Sequence, residues 1–255
     1  MQSHPAIRIT VLLVGLLAGG PFLAAQDEAG RGVFDTVLTA YGQRAAVQSL
    51  TSYRLTGTIR YFYDDEVSDA GIEILYKKPD KFKQVVTLAG ETVTLGRNAA
   101  EWWDAEGVDR LTVRRRHLER REVARHQRRL ELDLCNLLAY PPGQLAAQLL
   151  PDPVAWDGRE YWVLKIWQKH DASRWLKLLV DPATRLIRRA DTYLEDAATD
   201  TYEEFGCEFL DYAPQGKVQF PRRIRQYQDG RLVSEIQVKT VAFNTQIAAS
   251  EFKPE

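Results

Sequence analysis

From Tyr53 onward the chain is dominated by short stretches in which apolar and polar residues alternate. That period of two constrains the fold more than any other feature. In 53–63, Tyr53, Leu55, Ile59, Tyr61 and Tyr63 share one parity, while Arg54, Thr56, Thr58 and Arg60 share the other. Successive strand side chains point to opposite faces, so this is the signature of a half-buried strand. Asp64-Asp65-Glu66 makes a polar turn, after which Ile72, Ile74 and Tyr76 resume the pattern. Lys78-Pro79-Asp80 interrupts it ahead of Phe82, Gln84, Val86 and Leu88. Ala89-Gly90 leads into a short strand at 92–95, and Glu101-Trp102-Trp103 begins another. Past the middle of the chain, Trp162, Leu164 and Ile166 alternate with Tyr161, Val163 and Lys165. Further strands fit 175–180, a start at Leu186-Ile187, 203–212, 219–227 and 232–243, with turns at Asp181-Pro182 and Gln228-Asp229-Gly230. About ten short strands joined by turn residues make an antiparallel meander, not a βαβ series, and imply a curved sheet or barrel. The fold class is mainly β (α+β), with helices packed on the sheet.

Two helical regions interrupt the strands. In 31–48, Val33, Phe34, Val37, Leu38 and Tyr41 have the spacing of an amphipathic helix. Leu130, Leu134, Leu137 and Leu138 repeat at the same period, which predicts a helix over 128–139, stopped by Pro141-Pro142. Residues 144–150 read as another helical turn or two. The region 112–150 is therefore expected to be a basic helical insert within a single domain spanning 26–255. Hydrophobic residues make up 45% of the chain, enough for a sizeable core and against disorder.

The first residues read as a secretory signal. His4 and Arg8 precede an apolar stretch at 9–17, Gly19-Gly20-Pro21 is expected to break any helix, and Phe22-Leu23-Ala24-Ala25 offers a cleavage site. Residues 1–25 would be removed and the mature chain would start near Gln26. An uncleaved anchor is the other reading, but the stretch is short and glycine-rich for a membrane span. The chain is then expected to be periplasmic. In such a compartment Cys135 and Cys207 could pair, yet both stand in apolar surroundings, and two buried thiols fit equally well.

The search for chemistry finds no catalytic motif: no His-Glu-x-x-His, no Gly-x-Ser-x-Gly, no phosphate-binding glycine loop and no dinucleotide fingerprint. His117 and His126 are nine residues apart, which on a helix separates them by more than about 13 Å along the axis, too far to share a metal. The carboxylate pairs Asp64-Asp65 and Glu203-Glu204 are sequence neighbours and so point to opposite faces of a strand. No cofactor or metal is expected, and a hydrolase would need converging polar groups that the sequence does not display. Six tryptophans stand among the strands. Each can be ordinary core, or some can line a concavity too wide to fill itself. The inward-facing candidates for an apolar cavity are Ile59, Tyr61, Ile74, Phe82, Val86, Trp102, Trp162, Leu164, Leu176 and Leu178.

Charge is balanced overall, 34 Lys and Arg against 35 Asp and Glu, but not in its distribution. Arg114, Arg115, Arg116, Arg120, Arg121, Arg125, Arg128 and Arg129 crowd into sixteen positions with only two glutamates. The run reads either as a solvated helix face or linker, or as a basic patch for lipid headgroups. It lacks interleaved aromatics, so no nucleic-acid partner is expected.

The order of short motifs resembles the outer-membrane lipoprotein-sorting proteins, the LolA/LolB-like group of Gram-negative bacteria. The resemblance runs through Tyr53-Arg54-Leu55-Thr56-Gly57-Thr58, Lys77-Lys78-Pro79-Asp80-Lys81-Phe82 and Glu101-Trp102-Trp103. It continues through Asp157-Gly158-Arg159-Glu160-Tyr161, Val180-Asp181-Pro182, Phe209-Leu210-Asp211-Tyr212, Val218-Gln219-Phe220-Pro221, Asn244 and Glu251-Phe252-Lys253-Pro254. It implies an incomplete antiparallel β-barrel whose concave face is covered by helices. It also implies a non-enzymatic carrier that shelters the acyl chains of a lipid or lipoprotein. The arginine-rich segment has no counterpart in that pattern. It suggests an alternative, a non-catalytic envelope scaffold docking through 114–129 on an anionic membrane surface or another envelope protein.

Overall fold

In the computed structural model, residues 20–63, 66–107, 114–138, 144–196 and 201–254 are described. The chain opens with helix α1 (Gly20–Ala40), followed by the short α2 (Arg44–Gln48). Phe34, Val37, Leu38 and Tyr41 recur at helical spacing and are all buried, which makes α1 an amphipathic helix laid on the sheet. Gly19 lies outside the described residues, and α1 begins directly after it, at Gly20. Pro21 stands in the first turn of α1, where a missing N–H removes no helical bond. The remainder of the expected signal, 1–19, lies outside the described residues.

Five hairpin-linked strands follow, β1 (Ser52–Tyr63), β2 (Glu66–Lys77), β3 (Lys81–Leu88), β4 (Glu91–Asn98) and β5 (Glu101–Gly107), and then the short β6 (Arg114–His117). Helices α3 (Arg120–Glu131) and α4 (Leu134–Leu138) come next. The chain then forms β7 (Leu145–Leu149), β8 (Val154–Trp156), β9 (Arg159–Gln168) and β10 (Asp171–Val180). It ends with β11 (Ile187–Asp196), β12 (Thr201–Gln215), β13 (Val218–Gln228), β14 (Arg231–Phe243) and a final 3₁₀ turn at Ala249–Phe252. All pairings are antiparallel, in the order β6-β5-β4-β3-β2-β1-β14-β13-β12-β11-β10-β9-β7, with β8 beside β9. The described sheet thus has fourteen strands, not about ten, and does not close, because its ends β6 and β7 are not paired.

This topology positions the helices. The first and last strands meet in the middle of the sheet, so the two strands on either side of 118–144 fall at opposite edges. The described part of that segment, 118–138, packs on the concave face. Leu132, Leu134, Cys135, Leu137 and Leu138 share one core cluster with Tyr53, Leu55, Ile74 and Phe209 from the sheet.

Three readings of the expected helical insert are corrected. The arginine-rich segment begins as strand β6, not helix, because it can pair with β5 and set Asp104 opposite Arg116. Their ion pair spans 2.9 Å, and opposite charges directly across a ladder stabilise it. The helix expected over 128–139 is two helices, divided at Leu132-Asp133. Asp133 caps the second, its Oδ1 accepting from Asn136 N at 3.2 Å. Residues 145–149 form a strand instead of helical turns, satisfying the edge of β9 from Leu145↔Gln168 to Leu149↔Leu164. Ala146 and Ala147 are small enough for α1 to press against this strand. A side chain at Gly30 would meet Ala147 O at 2.2 Å.

The convex face is covered only locally. Tyr161, Val163 and Leu179 pack under Trp156 of β8, and Leu75 packs under Ile247 and Phe252 of the C-terminal turn. Between these patches Arg189 is buried with Asp191 at 2.6 Å, held between the rings of Trp156 and Tyr227 at 4.4 and 4.8 Å. A charge removed from water needs such partners. Cys135 and Cys207 are free thiols, and both are buried.

Candidate functional site

Under α3 the concave face is not filled. A cavity of about 160 Å³ remains. Its walls are Tyr53, Leu55, Tyr61 and Ile74 of β1 and β2, Phe82, Gln84, Leu95 and Trp102 of β3–β5, and Cys207, Phe209, Phe220, Ile224, Gln226 and Ile236 of β12–β14. Its roof is His126, Arg129 and Leu130 of α3 with Leu132, Asp133 and Leu134 that follow.

Of the ten cavity candidates, Tyr61, Ile74, Phe82 and Trp102 stand in this wall. Ile59, Val86, Leu164, Leu176 and Leu178 are buried in the same core but not on the cavity. Trp162 is partly buried, with the Arg185 guanidinium 4.1 Å from its ring centre. The difference has a structural cause. The half of the sheet around β9–β10 is occupied by α1, which packs on β7 and β9, so inward residues there meet a helix instead of a void. Of the other tryptophans, Trp103 lies against Gly96, Trp156 covers the convex face, and Trp167 and Trp175 flank Lys165.

Polar groups enter the cavity from the roof, and the hydrophobic pattern gave no sign of them. Asp133 accepts a 2.6 Å hydrogen bond from Tyr53 Oη. Burial pushes its carboxyl above the ordinary range, partly opposed by that bond. His126 stacks on Trp102 with ring centres 5.9 Å apart. Burial, then the nearby Arg129, brings its pKa down to about 4, so the imidazole is neutral at neutral pH. The Cys207 thiol on the far wall is pushed up to about 12, chiefly by burial, and is no nucleophile near neutral pH. Among the described residues no group of three metal-ligating side chains converges.

The arginine run is what holds the roof down. Arg116 pairs with Asp104 of β5 at 2.9 Å and binds Glu122 through two hydrogen bonds of 2.7 and 2.8 Å. Glu122, brought down to about 2 mainly by that contact, also accepts from Glu119 N at 2.9 Å and so closes the first turn of α3. Farther along, Arg125 pairs with Glu203 of β12 at 2.8 Å. Arg129 donates to Gln228 of β13 at 2.7 Å and lies over Phe205. Arg128 and Arg174 of β10 share Glu131 at the end of the helix. Arg120 and Arg121 line a groove between α3 and the β11–β12 hairpin. The side chains of Arg114 and Arg115 lie outside the described ones. Among the described residues, four arginines of the run, Arg116, Arg125, Arg128 and Arg129, are thus committed to the lid and the strands beneath it. Glu203 and Glu204 do point to opposite faces, one to Arg125 on the lid and the other to Arg189 at 3.7 Å on the convex side.

No family model matches the chain, and no curated protein matches it in sequence. Solved structures do match in fold. A putative outer membrane lipoprotein-sorting protein domain from Vibrio parahaemolyticus superposes with a TM-score of 0.55 at 11% identity, over 89% of this chain and 97% of that one. A LolA superfamily protein from Nitrosomonas europaea gives 0.54 at 14% identity, over 88% and 97%. A DUF1329 family protein from Desulfovibrio piger gives 0.53 at 12% identity, over 88% and 96%. The chain therefore shares the fold of these structures, and among its described residues it is an open, strongly curved sheet with a helical cover.

Proposed function

We propose that this protein is a non-enzymatic periplasmic carrier that shelters the acyl chain of a lipid or lipoprotein in the cavity beneath α3. The observation that carries the reading is an apolar void beneath α3, a helix that has no fully buried residue and is tied to the sheet by ion pairs and amides. A core meant only for stability fills such a space, because an empty cavity is destabilising. A helix held in this way can lift while Leu132, Leu134 and α4 stay packed in the core. The size of the void supports this. A cavity near 150 Å³ holds about one benzene ring, so a full acyl chain enters only if α3 moves outward. The lipoprotein-sorting neighbours and the signal-like N-terminus agree with this reading.

The test is direct. Protein purified from the periplasm is examined by native mass spectrometry, and delipidated protein is titrated with a fluorescent fatty acid. A co-purifying lipid, or saturable binding that Trp102→Arg abolishes while the melting transition stays cooperative, supports the carrier. Delipidated protein that binds no acyl probe removes it.

A further inference from the structure

On the other side of Leu130 lies a second pocket of about 430 Å³, and this one is polar. Leu130 belongs to the walls of both. Lys78, Arg97 and Arg174 line the second pocket against one carboxylate, Glu131. That carboxylate is already shared by Arg128 and Arg174. The Lys78 ammonium makes no hydrogen bond or ion pair among the described residues. It is half-buried, and burial holds it below the usual lysine range. Arg97 joins the two spaces: its guanidinium lies 5.5 Å from the centre of the Trp102 ring, which walls the cavity. Its Nε donates to Ala99 O at 2.9 Å, and neither Nη group has a partner among the described residues.

A partly desolvated, uncompensated cluster of cations is unfavourable on its own and becomes favourable when an anion sits in it. The polar pocket carries three cations against one shared carboxylate, together with the amides of Gln127 and Asn136. The cavity beyond Leu130 offers chiefly hydrocarbon. We propose that the two pockets form one amphipathic site, in which Lys78, Arg97 and Arg174 take the anionic phosphate or carboxylate headgroup of the amphiphile whose chain lies under α3. This rests on the carrier reading and adds to it the charge class of the cargo. The arginine as a planar fork and the lysine as a point charge together suit an oxyanion with several acceptor oxygens.

The experiment displaces a bound fluorescent fatty acid from the delipidated full chain with decyl phosphate, with 1-decanol and with inorganic phosphate. Decyl phosphate is expected to displace the probe at a concentration about tenfold lower than decanol, the effect of one charge-assisted contact. The advantage shrinks at high salt and is lost in Lys78→Met, while inorganic phosphate alone displaces nothing. Lys78→Met removes a half-buried charge that has no partner among the described residues, so the variant folds, and a thermal melt verifies it. Arg97→Gln, measured in parallel, reduces the same advantage. Equal displacement by phosphate and alcohol overturns the headgroup site and leaves the carrier reading standing. So does an advantage that survives in both variants. Displacement by inorganic phosphate at the concentration of decyl phosphate also overturns it, since the anion would then bind without a chain. A chain that binds no probe at all removes the carrier reading, and this proposal with it.

Discussion

If α3 is a lid held by polar latches, cutting one latch should loosen the lid and nothing else. Glu203 is the place to cut. Its Oε2 accepts from Arg125 Nε at 2.8 Å and its Oε1 from Gln228 Nε2 at 2.7 Å, while Gln228 in turn accepts from Arg129 at 2.7 Å. One carboxylate therefore ties two lid arginines to β12 and β13. The Glu203 side chain is 13% exposed and that of Arg125 39%, so the pair lies between a surface and a buried ion pair. Discounted for solvent on the arginine side, the coupling is worth about 1 kcal/mol. Leaving Arg125 and Gln228 without their acceptor brings Glu203→Ala to roughly 2 kcal/mol. In opening equilibrium this is a factor of about thirty. Amide hydrogen exchange reads it directly. Amides of α3 should exchange about thirtyfold faster in Glu203→Ala, about fivefold faster in Arg125→Ala, and those of β1, β13 and β14 should not change. The double variant should fall short of the product of the two, because both remove the same bond. Raising the salt should erase much of the difference. Unchanged exchange in α3 would refute the latch. A uniform rise across the sheet would mean that Glu203 supports the barrel rather than its lid.

Acid should loosen the lid as well. The folded protein holds His126 at about 4, against about 6.5 for a solvated histidine, so between these values it binds fewer protons than the unfolded chain. Its contribution to stability is complete above pH 6.5 and is lost as pH falls towards 4, by up to about 3 kcal/mol. His126→Gln should flatten the stability curve in that window, and an unaltered curve in urea titrations would reject the assignment. In the helix beside the open edge, Gly30→Ala sets two effects against each other. Helix propensity alone gains about 1 kcal/mol, but the new methyl group would stand 2.2 Å from Ala147 O. Overpacking of this kind outweighs the gain, so the variant should lose about 1–2 kcal/mol in chemical denaturation. A stabilised variant would show that α1 does not need its close approach to β7.

The strands were legible wherever one face is buried and the other wet, as in β1, where Tyr53, Leu55 and Ile59 are buried and Thr58 and Arg60 are exposed. The pattern failed at the ends of the sheet. Arg114-Arg115-Arg116-His117 has no alternation to read, and Leu145-Ala146-Ala147-Gln148-Leu149 is composed of good helix formers. Both are strands because the neighbouring strand, β5 or β9, offers unpaired backbone groups that a helix would leave unsatisfied. That is a demand of the tertiary structure, and no window of sequence contains it.

The site divides along the same line. Parity assigned Tyr61, Ile74, Phe82 and Trp102 to the inward face, but the same parity assigned Leu164, Leu176 and Leu178 there too. Only the placement of α1 decides which of them meets a void. For the arginines the limit was distance along the chain. Asp104, Glu203 and Gln228 lie far from the residues they hold, and no periodicity links Arg125 to a glutamate 78 positions later. Yet the composition did contain the consequence. A chain that is neutral overall while one segment is strongly basic must be acidic elsewhere, and an acidic sheet facing a basic helix is an arrangement that binds itself. Asp104 and Glu203 of the sheet take up Arg116 and Arg125, while Glu122 and Glu131 of α3 itself take up Arg116 and Arg128. Half of the arginines of the run are therefore engaged within the lid and its seat. Lys78 and Arg97, which make no ion pair among the described residues, stand in the polar pocket beside the cavity.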